Sequence, residues 1–530
     1  MNDFWRKGEP YIWTTAAALA TTLLLAAVLI VVVLVNGLGV FWPSRVAVAE
    51  LHDGSRVMGE VIRREAIFDG EGQRVQFKIG NRDVYGLDFR WVDQAEIAHM
   101  SFPDDAIVLE RQEYGNFYGS LAALEGQPVT SPAQGWAGLR QRLQELAGEQ
   151  DRIAEIGGKL ADLNGQVTRL RMRERKFLYR GLTAEDARVA ALQTRREALE
   201  RRFNELADQQ SELISALRQR TATFVDVSGS EREMPLVDIV RSYQPNRMSL
   251  PAKVAHYAGK LWELLSAEPR ESNTEGGLFP AIFGTVMLIF VMSLFSFPLG
   301  VLAAIYLREY AKEGLIVRMV RIAVNNLAGI PSIVYGIFGL AFFVYGIGGS
   351  IDQLFFPERL PDPTFGTGGI LWASLTLSLL TVPVVIVATE EALGAIPNGV
   401  REGSLALGAT KFQTLTRILL PMASPGIMTG LILAMARAAG EVAPLMITGV
   451  VKLAPSLPLD GQFPFLHLDR KFMHLGFHIY DIGFQSPNVE AAKPMVFVTT
   501  LLLVLIVLVM SSVAIRLRNK MKKRYTYSTF

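Results

Sequence analysis

Six separate stretches of this chain stay apolar for about the 20 residues that a helix needs to cross a bilayer. They are Thr14–Val35, Phe279–Leu307, Ile322–Ile347, Ile370–Ala388, Pro425–Met446 and Met495–Ile515; the fifth encloses two charges, Arg437 and Glu441. Six such stretches predict an all-α polytopic membrane protein of six transmembrane helices. The averages conceal this. Of 530 residues, 50% are hydrophobic and 20% charged, because apolar and charged residues occupy separate blocks.

The first stretch has two readings. Arg6 and Lys7 precede it, and Ala47-Val48-Ala49 mimics a signal-peptidase site. Its length and its distance from that tripeptide favour a retained anchor helix within residues 1–36. Positive charge sets the orientation. Arg516, Arg518, Lys520, Lys522, Lys523 and Arg524 make residues 516–530 a basic tail on the cytoplasmic side. Arg308, Lys312, Arg318 and Arg321 place the loop after the second stretch inside as well. Six spans then put both termini in the cytoplasm and residues 37–275 outside, which is the periplasm in a bacterium whose inner membrane holds the chain.

Within that insert, residues 42–123 read as a small β domain, with strand-like runs at Val46–Leu51, Arg56–Arg63, Arg74–Ile79 and Val84–Trp91 and turns at Asp53-Gly54 and Asp69-Gly70. Residues 138–218 change period. Leu139, Leu146, Ile153, Leu160 and Val167 recur every seven positions, joined by Ile156, Leu163 and Leu170. Leu192, Leu199, Leu206 and Leu213, with Phe203 and Leu217, form a second seam. The pattern fits an antiparallel coiled-coil hairpin with its tip near Tyr179–Thr183, or an amphipathic helix pair packed on the β domain. Thr183-Ala184-Glu185-Asp186 reads as the second helix's N-terminus.

Composition closes off several functions. A net charge of +2 gives no field for nucleic acid, and zero cysteines exclude disulfides and thiolate chemistry. No G-x-x-x-x-G-K-[ST] run occurs, so ATP is not bound through a P-loop. His474 and His478 stand four apart in an aromatic stretch near Asp481, too few ligands for a metal. No nucleophile or acid–base pair is set up, so the chain reads as a transport subunit without a cofactor.

The functional signal lies between the fourth and fifth stretches, within residues 390–424. Glu402-Gly403-Ser404 is followed by three residues, Gly408, nine residues, and Ile418-Leu419-Leu420-Pro421. This resembles the EAA loop of ABC-importer permeases, with Gly403 and Ser404 in place of two alanines. Glu275–Pro280 with Gly284-Thr285, the run Asn326–Gly336, and Gly440–Leu445 resemble PstA-type phosphate permeases.

That resemblance implies a five-helix permease core over residues 276–515 behind the anchor helix. It implies that Glu402, Gly403, Ser404, Gly408, Ile418, Leu420 and Pro421 couple the core to a separate ATPase. Proline chemistry has Pro421 end the loop's helix and start the next span. The resemblance further implies a PstC-like second permease, a PstB-like ATPase dimer and a PstS-like phosphate-binding protein as partners, with lipid around the spans. Arg437 and Glu441 share a helix face at their spacing and, with Asn325 and Asn326 of the third span, are candidates for the anion path. A permease for molybdate or sulfate, and a coiled-coil membrane scaffold, remain the alternative readings.

Overall fold

The computed structural model describes residues 8–67, 72–461, 463–486 and 488–525; Arg6, Lys7, the Asp69-Gly70 turn and the Arg524 side chain lie outside the described set. Among the described residues six helices are long and apolar enough to cross a membrane: Glu9–Gly39, Phe279–Tyr310, Ser332–Phe355, Ile370–Gly394, Lys411–Gly440 and Val489–Lys523.

Two spans differ from the expectation. The third begins at Ser332, because Pro331 lacks an N–H and disfavours helix in the residue before it. Residues Leu315–Leu327 form their own amphipathic helix ahead of that break. Asn325 and Asn326 therefore precede the third span rather than lying in it. The fifth span runs earlier, from Lys411 to Gly440. A π-turn over Leu415–Leu419 stands directly before Pro421, and its wider winding accommodates the missing proline N–H. Pro421 thus sits in the first turn of a continuing helix, Leu420–Gly440, and does not end one.

The core packs through small residues. Gly426 and Gly430 of span five face Ala392 and Ala388 of span four, where added Cβ atoms would fall 2.5 and 2.7 Å from those methyls. Leu288 and Met292 of span two, Leu377 and Leu380 of span four and Ala438 of span five meet at the centre, joined by Leu445 from just beyond span five. The anchor helix rests on span six at Gly37, beside Leu501.

Among the described residues the insert holds two large antiparallel sheets, and a two-stranded ribbon pairs Pro269–Arg270 with Glu275–Gly276 where it joins span two. Strands β1 (Val46–Leu51), β2 (Arg56–Ala66), β3 (Gln73–Lys78), β4 (Phe89–Asp93) and β5 (Ile97–Ser101) form one sheet in the order β4-β3-β2-β1-β5. The expected strand Val84–Trp91 is shorter: Arg82–Tyr85 is a single helical turn closed by Gly86 at φ +70°, and the strand starts at Phe89.

The second sheet uses β6 (Ile107–Arg111), β7 (Phe117–Leu124) and β8 (Gln127–Pro128), then β9 (Thr221–Val225), β10 (Glu231–Pro235) and β11 (Ile239–Tyr243). The sequence alone ends the β domain at residue 123, short of β8 and of the last three strands, β9 to β11. They lie beyond the helices, so the helical hairpin is inserted into this sheet.

The hairpin's helices, Pro132–Tyr179 and Ala187–Arg218, are 48 and 32 residues long. The longer one extends roughly 70 Å at 1.5 Å per residue. Contacts of Arg171 with Glu200, Glu174 with Arg196, and Ile153 with Gln210 fall in opposite order along the two helices, so the helices are antiparallel. Leu146, Leu160, Leu163, Val167 and Leu170 are buried on the first helix. On the second, Leu192, Leu199, Phe203 and Leu206 are half-buried, whereas Leu213 is exposed and Ile214 takes the inward position. The reversal runs through Gly181 at φ +87°. Asp186, not Thr183, caps the second helix by accepting from the Arg188 N–H. At the base, Leu139, Leu146 and Leu217 join Phe117, Phe224 and Leu236 of the second sheet's core.

Candidate functional site

The loop between spans four and five folds as a short helix, Asn398–Ala406, a turn, and the start of span five. Gly408 makes the turn at φ +85°, a region costly for residues with a Cβ. Space is not the constraint, since a Cβ there would meet nothing within 4 Å. Thr410 and Gln413 form a capping box at the next helix. The buried Ser404 hydroxyl meets Thr414 Oγ1 at 2.9 Å and ties the two arms together.

Arg401 fastens this loop to the core. Its guanidinium donates to the carbonyls of Leu393 and Ile396, each at 2.7 Å, and to Glu309 at 3.0 Å. Glu309 lies in the π-turn Tyr306–Tyr310 that ends span two, and Lys411 Nζ sits 4.8 Å from the Tyr310 ring. Sequence reasoning missed Arg401 and Glu309; a basic residue beside Glu402 was the available signal, but nothing local pairs it with a residue 92 positions away.

The outward side of the loop is open. Glu402 is exposed and makes no hydrogen bond or ion pair among the described residues, and Gly403 faces open space. Leu405, Leu407 and Phe412 are 49%, 91% and 66% exposed. Ile418, Leu420 and Pro421 are half-buried beneath, beside the buried Leu415 and Leu419. The loop is thus fastened to the core on one side and carries exposed apolar side chains and an exposed carboxylate on the other.

A second cluster lies where two helices break. Span five stops at Gly440, Glu441 is extended at φ −82° and ψ 127°, and a short helix resumes at Ala443–Thr448. Arg437 and Glu441 are therefore not on one continuous helix, yet Arg437 Nε still lies 3.7 Å from Glu441 Oε1. Arg437 is in the helix's last turn, where the macrodipole favours a cation. Both residues are half-buried.

The short helix meets the start of span three: a Cβ at Gly336 would lie 2.7 Å from Pro444 Cα. Tyr335 spans the neighbouring break by donating to the Leu327 carbonyl at 2.7 Å. The sequence runs Asn326–Gly336 and Gly440–Leu445 are thus packed together. Asn325 is elsewhere. It lines a small cavity of about 50 Å³ with Arg321 and Glu390, whereas the ion-pair partner of Arg437 is Glu441.

Two further sequence features find places. Gly284 presses on Met473, whose carbonyl would lie 2.1 Å from a Cβ there, and Thr285 Oγ1 accepts from the Leu475 N–H at 2.9 Å. His474 and His478 are buried, and burial lowers both to about 4, so they are neutral. His478 bonds the Asn273 carbonyl and Thr499, joining the insert's last segment to span six.

Residues 296–523 match the family described as binding-protein-dependent transport system inner membrane component. The probable ABC transporter permease protein YqgI of Bacillus subtilis is 31% identical over 223 residues, 41% of this chain and 70% of that protein. The probable phosphate transport system permease protein PstA of Methanocaldococcus jannaschii is 34% identical over 221 residues, 41% of this chain and 67% of that protein. The probable ABC transporter permease protein YqgH of Bacillus subtilis is 34% identical over 199 residues, and there this chain spans only 60% of the relative's length. The insert up to Glu275 lies outside the matched family region. Broken, closely packed spans and an open loop between spans four and five agree with that match, and the chain belongs to the inner membrane permeases of binding-protein-dependent transport systems as a PstA-type member.

Proposed function

We propose that this chain is one half of the translocation pathway of an ATP-driven phosphate importer. The single observation that carries the reading is the loop at Glu402–Pro421. It is locked to spans two and four by Arg401 while Glu402, Leu405, Leu407 and Phe412 are exposed, Glu402 with no hydrogen bond or ion pair among the described residues. A separate ATPase dimer docks there, and its closure moves the loop and, through Arg401 and Glu309, the end of span two. Phosphate as substrate is supported by the relatives named as phosphate transport system permeases.

Arg437 serves the anion path. Its planar fork suits a tetrahedral oxyanion, and a ligand that competes with Glu441 for the same donors is held weakly enough to leave. The partners are a second PstC-like permease, PstB-like ATPases and a PstS-like binding protein. Both termini lie in the cytoplasm and the insert in the periplasm, as the basic tail and short basic loops favour. The hairpin packs as a true coiled coil above its base.

Proteoliposomes containing the chain with its co-purified partners should take up labelled phosphate only with ATP, and in preference to sulfate. Uptake by the chain alone, or equal uptake of sulfate, would overturn the reading.

A further inference from the structure

The helix Leu250–Ser266 has its amphipathicity turned inside out. Its charged and polar side chains point into the protein. Lys253 donates to the Pro43 carbonyl and Tyr257 to the Leu38 carbonyl, at 3.2 and 3.0 Å. Lys260 pairs with Glu110 at 2.9 Å, and Glu263 with Arg241 and Arg270 at 3.1 and 2.7 Å. The outward face carries Leu250, Val254, Ala258, Trp262 and Leu265, spaced by four, four, four and three, and no charge. Leu250, Val254, Trp262 and Leu265 are 68%, 52%, 71% and 45% exposed. A helix in water presents the opposite arrangement.

Both ends of this helix are tied to the ends of membrane spans. Its first half bonds residues 38 and 43, at the end of the anchor helix. At its other end, the Leu278 and Phe279 N–H groups donate to the carbonyls of Leu264 and Ala267, where span two begins. The helix is about 25 Å long at 1.5 Å per residue. It thus bridges the end of the anchor helix and the start of span two.

We infer that Leu250–Ser266 is an interfacial helix. Its outward face lies in the lipid headgroup–acyl boundary on the insert's side of the membrane, with Trp262 as its anchor. The occupant of this face is lipid. The helix is bonded to the end of the anchor helix, which is itself apolar and exposed along its length, and Trp is the side chain favoured at the headgroup depth. All of the helix's charges being engaged on the protein side leaves nothing outward to oppose insertion. The consequence is mechanical: the ion pairs to Glu110 and Arg241 set the second sheet, and with it the hairpin, at a fixed height above the bilayer.

The chain has no cysteine, so Trp262→Cys and Val254→Cys each introduce a single labelling site. Nitroxide labels at these positions, in the full chain with its partner subunits in phospholipid nanodiscs, report collisions with oxygen and with a water-soluble nickel chelate. The label at Tyr179→Cys on the hairpin tip gives the aqueous reference. Oxygen collisions should exceed nickel collisions several-fold at positions 262 and 254, the reverse of the reference. Nickel access equal to the reference would place the face in water. Protection from both reagents would mean that a partner chain covers it. Either result overturns the inference, and two sites keep the test readable if one variant fails to assemble.

Discussion

The helical hairpin and the loop between spans four and five both project from the membrane-embedded core, but they treat apolar side chains in opposite ways. On the hairpin, Leu146, Leu160, Leu163, Val167 and Leu170 are turned inward against the returning helix. On the loop, Leu405, Leu407 and Phe412 face out, and Glu402 has no partner among the described residues. The hairpin buries its own seam; the loop leaves its apolar side chains uncovered. Exposed apolar surface on an otherwise well-fastened element marks an interface, and a projection that buries its own seam leaves little such surface.

The largest expected effect tests the open face. Leu407→Asp with Phe412→Asp, or Glu402→Lys, should abolish ATP-driven phosphate uptake and release the ATPase from purified complexes. Surface changes of this kind move stability by only about 0.5 kcal/mol, so the chain should remain in the membrane. Normal uptake in these variants would break the contrast with the hairpin.

Next in size is the pair that has found its partner inside the core. Arg437→Gln should remove most uptake while subunits still co-purify, and Glu441→Gln should be milder because the positive charge stays. Arg437→Lys should fall between them, since the charge remains but the fork is lost. If exchanging the two residues restores normal transport, the pair is structural and the pathway reading fails.

On the hairpin, Leu163→Ala should destabilise the helix pair by about 2–3 kcal/mol, seen as faster proteolysis between residues 150 and 206, with uptake unchanged. Loss of uptake in step with hairpin stability would show that the module is not separable.

The join between insert and core should respond to pH. His474 and His478 are held near 4 in the fold and lie near 6.5 in the unfolded chain. Between those values the unfolded state binds more protons. Stability is therefore full above about pH 6.5 and falls by up to about 1.4 kcal/mol per pH unit per histidine as pH drops through the window. Thermal melts of the purified chain from pH 7 to pH 5 should show this slope, and His478→Gln should flatten it.

The smallest effect sharpens the reading of the loop itself. Gly408→Ala should cost about 1 kcal/mol through its positive φ, whereas Gly403→Ala, inside a helix with open space around it, should stabilise by about 0.5–1 kcal/mol. Equal costs, compared by thermal unfolding, would mean that space rather than backbone conformation selects glycine there.

Much of this protein was legible in its sequence because the signals involved are local. Runs of about 20 apolar residues mark spans wherever they occur, since hydrocarbon offers no partner to a free backbone group. The heptad spacing of Leu139 to Leu170 announced the first hairpin helix, and the spacing from Glu402 to Pro421 announced the loop. The same signals misled where geometry is set by a neighbour or a break. Apolar character alone carried span three back to Ile322, because it does not register that Pro331 divides the run. Regular spacing put Leu213 in the seam that Ile214 occupies, since a seven-residue repeat drifts against 3.6 residues per turn.

What only the tertiary structure decided is pairing across long separations. Strands β9 to β11 complete a sheet begun a hundred residues earlier, and Arg401 reaches Glu309 from 92 positions away. Helix Leu250–Ser266 shows its inverted faces only once Glu110, Arg241 and the end of the anchor helix are in place around it. Periodicity records that a helix has two faces. Which face meets protein, water or lipid is settled by the partners that folding brings to it, and those partners are distant in sequence.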